Sequence, residues 1–313
     1  MTKPLSNRRE FLSSAGVAAA AAVLYRGTTV PAAAPAEKLH VAINQWSIGA
    51  IRRRDPQNAA LSFDDELAGL AAAGIDGLEP GLNSAAQVDG LVTQLAKHQL
   101  SLRSIYTGSS LVDPDGLARE QERIIGLAKR GKEAGAKVIV TNPNPLPNRQ
   151  GKSDEQLKTQ AAALNRLGHE LAALGLILAY HNHDVELQYA AREFHHMMLG
   201  TDPQALALCL DAHWVYRGAG HSQVALFDVV QLYGARVAAL HLRQSIDQVW
   251  SEAFGPGDID YPALVQRLQQ AGAKPVVVLE QGPEAATPQT LDVAEVHRRS
   301  ARYAREVFAP LAS

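Results

Sequence analysis

Cysteine is almost missing from this chain of 313 residues: the one thiol, Cys209 in the apolar run ALALCLD, cannot close an internal disulfide, and its neighbours mark it as core packing. Stability therefore has to come from a hydrophobic core. A charge excess is missing too, since 30 Lys+Arg face 32 Asp+Glu for a formal charge of −2. There is no basic stripe of the kind a binder of phosphate backbones needs, which argues against nucleic acid as a partner. Long hydrophobic runs are absent; the apolar stretch that ends at Leu24 holds about a dozen residues, too few to span a bilayer. No Gly-rich phosphate turn follows the first strand pattern, because AINQWSIG is not one, and this weighs against the rival open, doubly wound sheet.

What is present begins with a targeting pattern. SNRREFL, with Arg8 and Arg9, is followed by an Ala/Val-rich run and a small-residue stretch to Ala36. It predicts a twin-arginine signal peptide over 1–36, with cleavage after Ala34-Pro35-Ala36, export to the periplasm and no stable membrane association afterwards. That route carries proteins that fold before crossing, which suits a metal loaded in the cytoplasm. Residues 37–313 show no internal linker and suit one α/β barrel domain.

One phrase returns five times: AAAGIDGLE at 71, EAGAKVIVT at 133, ALGLILAYH at 173, YGARVAALH at 233 and AGAKPVVVLE at 271. Each reads as a helix end, a glycine in the left-handed stop position, then a strand buried on both faces. Strands are expected near 40–45, 76–79, 101–106, 137–141, 176–183, 206–211, 236–241 and 275–280. Helices are expected near 63–74, 85–98, 115–134, 154–174, 189–199, 222–233, 260–271 and 290–307. Such alternation requires a parallel sheet with right-handed crossovers, and eight units can close it into a (β/α)8 TIM barrel. The long connections follow strands, so the polar strand ends share the face that carries active sites.

Those ends are chemically distinctive. The fifth strand runs into YHNHDVE, the sixth ends CLDAHW, the seventh ALHLR, the eighth VVLEQ and the second GLEP. Carboxylates and an imidazole converging from separate strands form a ligand set for one divalent cation, Mn, Mg, Co or Zn, because like charges raise one another's pKa unless a cation neutralises them. The expected ligands are Glu186, Asp211, His241 and Glu280.

The segments GLEP at 77–80, YHNHDVEL at 180–187, LDAHWVYRGAG at 210–220, HLR at 241–243, FGPGDIDYPAL at 254–264 and VVLEQ at 277–281 resemble the sugar phosphate isomerase/epimerase group with the xylose isomerase-like barrel. The likeness covers the whole mature chain. It implies that a Glu, an Asp, a His and a Glu at these strand ends hold one metal. The YHNHD version looks like a subgroup of exported or oxidoreductase-associated members that includes enzymes acting on 3-keto-glycosides. Two departures stand out. Most relatives carry Lys and Asp after the seventh-strand His, where this chain has Arg243 and Gln244. Many also carry their fifth-strand Glu within the strand, nearer His181, so either Glu186 folds back to the metal or a His takes its role; Glu186 is the preferred reading.

Such a site would abstract the proton beside a carbonyl of a sugar or keto-sugar through an enediolate, with Glu186, Glu280 or His183 as base. Isomerisation or epimerisation is the expected outcome. The alternatives are elimination from a 3-keto-glycoside by a lyase or dehydratase, or a non-catalytic carbohydrate-binding barrel; a nuclease is the weakest reading. Glu79 is expected to hold a sugar hydroxyl or to pair with Arg103. His181 is expected to bind substrate, to orient His183, or to pack in the core. Trp46, Tyr106, His213 and Trp214 offer a sugar an apolar face, and Arg243 stands in for the usual Lys contact. His195 and His196 are not assigned to the metal. The expected partner is a small carbohydrate, and a homo-oligomer is compatible with the pattern.

Overall fold

The computed structural model describes residues 38–54 and 61–312; the expected leader lies outside the described residues. From the first strand the order is β1 (Val41–Asn44), α1 (Gln45–Arg54), α2 (Phe63–Ala72), β2 (Gly77–Glu79), α3 (Ala85–Lys97), β3 (Ser104–Ser109), α4 (Leu117–Glu133), β4 (Val138–Pro143), α5 (Asp154–Ala173) and β5 (Ile177–His181). It continues with α6 (Gln188–Leu199), β6 (Leu206–Asp211), α7 (Ala212–Gly218), α8 (Gln223–Tyr233), β7 (Val237–Leu242), β8 (Ser245–Ile246), β9 (Val249–Trp250), α9 (Tyr261–Gln270), β10 (Val276–Leu279) and α10 (Val293–Phe308).

Eight strands form one parallel sheet in the order β2-β1-β10-β7-β6-β5-β4-β3. The seam between β2 and β3 is drawn together by parallel bridges Gly77–Ser101 and Gly81–Tyr106, with Leu78 N donating to Ser101 O at 3.0 Å and Tyr106 N to Pro80 O at 2.9 Å. This is the expected (β/α)8 barrel. The third strand begins three residues later than its pattern suggested, because Ser101 is used for the seam.

Local chemistry starts and stops the helices. Ser62 and Ser153 cap α2 and α5, each in a capping box with the residue three further on. Four of the five recurring glycines, Gly74, Gly135, Gly175 and Gly272, have φ between 71° and 105°, as the phrase predicts. Gly234 is the exception: its φ is −54°, and what it requires is space, since a Cβ there would lie 2.9 Å from that of Ala271. In α6, Tyr189, Ala190 and Ala191 are left-handed, so regular helix begins at Arg192.

Two short helices, α1 and α7, follow strands directly and were not expected. The β8–β9 hairpin was not expected either. Its turn residues Asp247 and Gln248 have φ of 51° and 68°, and both backbone N–H groups donate to the Asp258 carboxylate, at 2.9 and 2.7 Å.

The larger core lies between strands and helices. A second, small cluster of Val138, Val140, Ala179, Cys209 and Ala239 fills the lumen, with Cys209 packed there as expected. Side chains alternate along a strand, so the residues two places further on, Asn142, His181, Asp211 and His241, form the next layer up. The register pairs Asp211 with His241 in that layer, while His181 pairs with Cys209 and so shares its inward face.

Candidate active site

That upper layer is where the polar strand ends meet. His181, Asp211, His241 and Glu280 each offer one donor atom within 4.8 Å of the others, and all four residues are buried. His181 Nε2 and Asp211 Oδ2 are without any partner, and His241 Nδ1 and Glu280 Oε2 make no hydrogen bond of good geometry, only ion-pair contacts. Buried polar atoms without partners are costly unless something else satisfies them. Two carboxylates and two imidazoles with lone pairs converging in this way fit a divalent ion.

The surroundings fix the donors. Asp211 caps α7, accepting from Trp214 N at 2.8 Å through Oδ1 and leaving Oδ2 free. Its backbone is braced by Asn182, whose Oδ1 accepts from Asp211 N at 3.1 Å while Nδ2 donates to Asp211 O at 3.2 Å. Burial pushes the Asp211 carboxyl up to about 7, against the pull of Arg243. His241 Nε2 lies 2.7 Å from Glu79 Oε1, which leaves Nδ1, 3.3 Å from Glu280 Oε2, for an ion. Burial pushes the His241 imidazole down, but Cys209 and the carboxylates of Glu79 and Glu280 outweigh it and hold the ring well above its usual value. Burial likewise opposes the charge on Glu280, whose pKa is nonetheless held well below the carboxylate range by His241 and Arg243.

Glu79 is therefore a support for His241, not a sugar contact or an Arg103 partner. It is fully buried and also accepts from Asn44 Nδ2 at 2.8 Å, while Arg103 lies at the opposite end of the barrel. Glu186 is not brought into the donor cluster. It sits in a 3-10 turn after β5, where Oε1 accepts from Asn142 Nδ2 at 3.1 Å and Oε2 from His183 N at 2.7 Å. His181 takes the fifth-strand place because the strand's inward alternation ends on it, whereas the chain has already turned before Glu186. Burial raises the Glu186 pKa, and its two hydrogen bonds oppose that rise.

Above the donors opens a cavity of about 480 Å3 walled by Trp46, Tyr106, His183, Trp214, Arg243 and Glu280. His183 packs its ring 4.6 Å from that of His181 and 5.8 Å from that of Trp214, and burial lowers its pKa. Arg243 is 2% exposed and donates through Nε to Glu280 O at 3.0 Å, with Nη2 3.2 Å from Glu280 Oε2. Its guanidinium lies 5.0, 5.1 and 4.2 Å from the ring centres of Trp46, Trp214 and Trp250, all the tryptophans of the chain, and Nη1 has no partner. His213 does not reach the cavity. It is buried against Trp250 and Tyr216 with Nε2 3.0 Å from Ser245 Oγ. Gln244 pins the loop before α9, accepting from Ile259 N at 3.1 Å. His195 pairs with the Tyr233 hydroxyl at 2.7 Å, outside the cluster.

Asn44, Asn142 and Asn182 were overlooked by sequence reasoning. The same signal, a polar residue where an apolar strand ends, marks the first two, and Asn182 lies inside the HNH segment itself.

A barrel of eight parallel strands whose C-terminal mouth gathers imidazole and carboxylate donors defines a class, the (β/α)8 proteins with a candidate metal centre. The family model described as xylose isomerase-like TIM barrel matches residues 67–304, and the chain belongs to that family. It is similar to the inosose dehydratase of Bacillus velezensis, at 24% identity over 284 residues covering 81% of this chain and 94% of the relative. Among solved structures it is similar to a sugar phosphate isomerase/epimerase from Parabacteroides distasonis, with a TM-score of 0.68, 18% identity and coverage of 90% of this chain and 97% of the other. It is also similar to the apo 3-keto-D-glucoside 4-epimerase from E. coli, with a TM-score of 0.62, 15% identity and coverage of 86% and 100%. At these identities the structural likeness is one of fold.

Proposed function

We propose that this chain is a divalent-metal-dependent enzyme that modifies a keto-sugar, acting as a carbon–oxygen lyase by elimination beside the ketone. The observation that carries the reading is the inventory of proton acceptors. Of the cavity walls among the described residues, only His183 and Glu280 can accept a proton near neutral pH, and Glu280 belongs to the donor cluster and is clamped by Arg243. With Glu186 turned away toward Asn142, one base remains. Two-base epimerisation needs acceptors on both faces of the reacting carbon; elimination needs one base that takes a proton and returns it to the leaving oxygen.

In this reading His181, Asp211, His241 and Glu280 hold a divalent ion, which would polarise the ketone and offset the charge that develops when the C–H bond breaks. The imidazole of His183 takes the carbon-bound proton. The electron pair left behind forms the new double bond as the C–O bond to the leaving group breaks, and the imidazolium protonates the departing oxygen. Trp46 and Trp214 supply apolar faces for the ring, and Arg243 offers Nη1 to a substrate oxygen. The likeness to the inosose dehydratase of Bacillus velezensis supports elimination. The second reading, isomerisation or epimerisation, is favoured by the presence of Glu280 in the cavity wall as a second acceptor.

Incubation of the purified protein with a 3-keto-glycoside and Mn, Co, Mg or Zn separates these outcomes. Release of the aglycone with an unsaturated keto-sugar is expected. An epimer with its glycosidic bond intact would replace the lyase reading with the second one, and binding without turnover under all four metals would leave a carbohydrate-binding barrel. Export through residues 1–36 is part of the proposal, and cell fractionation showing the protein only in the cytoplasm would remove it.

A further inference from the structure

The other mouth of the barrel, where the strands begin, holds a concavity of about 150 Å3. Among the described residues its charged lining is entirely cationic: Lys38 just before β1, Arg103 just before β3, Lys137 just before β4 and Lys274 just before β10. Lys38 has a partner in Asp76, which also serves Arg305. For Arg103, Lys137 and Lys274 there is no acidic partner among the described residues.

Helix C-termini gather at this face, and their partial negative charge attracts cations within the last turn. That accounts for Arg130 and Lys132 in α4. It does not account for Arg103, Lys137 and Lys274, which lie beyond the helices, at strand starts, around an apolar floor that includes Val138 and Val276. The backbone holds two of them side by side, since Lys137 N donates to Arg103 O at 2.8 Å. His40 lines the concavity; its Nε2 sits 2.6 Å from Ser101 Oγ, whereas its buried Nδ1 has no partner. Burial first and the Arg103 charge second hold the His40 imidazole down at about 4, against the opposing pull of Asp76.

We propose that the N-terminal mouth is a binding site for a small multivalent oxyanion of the phosphate class, gripped by Arg103, Lys137, Lys274 and Lys38. The size favours such a ligand, since the concavity falls below the ~300–1,000 Å3 of sites for larger organic molecules. Occupancy ties together the starts of β1, β3, β4 and β10, on both sides of the seam between β2 and β3. The anion therefore acts as a staple that stabilises the folded barrel by mass action. The site is remote from the donor cluster and independent of the reaction assigned to it.

The test is thermal unfolding of the full chain in inorganic phosphate, against sodium chloride of equal ionic strength, together with titration calorimetry. Phosphate should raise the melting temperature saturably, with one site per chain. Lys137→Gln combined with Lys274→Gln should weaken binding roughly tenfold or more, and Lys274→Gln alone should weaken it measurably, while Lys129→Gln, the same charge change as Lys274→Gln but on the outer face of α4, should leave it intact. If the double variant fails to fold, Lys274→Gln alone carries the comparison. Equal melting shifts in chloride and phosphate would overturn the proposal, as would phosphate binding indifferent to Lys274, which would place the anion elsewhere, at Arg243 for example. Association with phosphatidylglycerol vesicles without saturable phosphate binding would also overturn it, by making the face a membrane contact.

Discussion

At the mouth where the strands end, His181, Asp211, His241 and Glu280 bring lone pairs to one point; at the mouth where they begin, Lys38, Arg103, Lys137 and Lys274 surround a concavity with cations. Single elements contribute to both. β10 follows Lys274 and leads into Glu280, and the unit around β5 exposes Ile177 at one end and presents His181 at the other. The strands between are apolar, so the two ends are insulated by a packed lumen of Val138, Val140, Ala179, Cys209 and Ala239. The polarity of a parallel barrel thus lets one set of strands carry a cation site and an anion site without neutralising either.

The most severe way to break this contrast is Asp211→Asn, which removes one of two carboxylates from the donor set. Elemental analysis should find the bound metal gone, and turnover should vanish with it. Glu186→Gln, by contrast, should keep its metal, because its carboxylate faces Asn142 and His183 N. Metal loss in Glu186→Gln would reverse the assignment of the fifth-strand donor, and retention in Asp211→Asn would remove the sixth-strand one.

A smaller effect is expected from His183→Gln. Metal content should be unchanged, while turnover falls by ~10²–10⁴-fold, the usual worth of a positioned general base. Activity close to that of the parent would move the proton transfer to Glu280 and revive the epimerase reading.

The smallest effect belongs to the cationic mouth. His40 titrates at about 4 in the fold and near 6.5 when unfolded, so between those values the unfolded chain binds more protons. Its contribution is complete above about 6.5 and declines as pH falls toward about 4, by ~1–3 kcal/mol. Urea unfolding at several pH values should show a shallower decline for His40→Asn. The buried His297, also lowered to about 4, contributes to the slope that remains, together with His181, His183 and His213, which burial lowers as well. Identical slopes in parent and variant would mean that His40 is not shielded as described.

Much of this was readable in the residue order. The helix–glycine–strand phrase announced the barrel because a left-handed stop and a two-face-buried strand are local signals, and Asp211, His241 and Glu280 announced themselves as polar residues closing apolar strands. The preference for Glu186 departs from the donor cluster of the structure on a local detail. The period-two alternation places His181 inward, and the chain leaves the strand at Asn182, so charge alone was a poor guide. Glu79 was noticed, but its role was not, because its partner His241 is supplied by β7, three places away in the sheet order and distant along the chain. Gly234 matched the phrase and met a different need, since close helix packing and a left-handed turn select the same residue.

The clustering of Trp46, Trp214 and Trp250 around Arg243 gives the protein a built-in optical gauge. Because the chain has no other indole, emission excited selectively in tryptophan originates at the cavity rim alone. Ligand arrival or loosening at that rim would register directly, whereas fraying of the opposite end would pass unseen by fluorescence and needs calorimetry or circular dichroism to be detected.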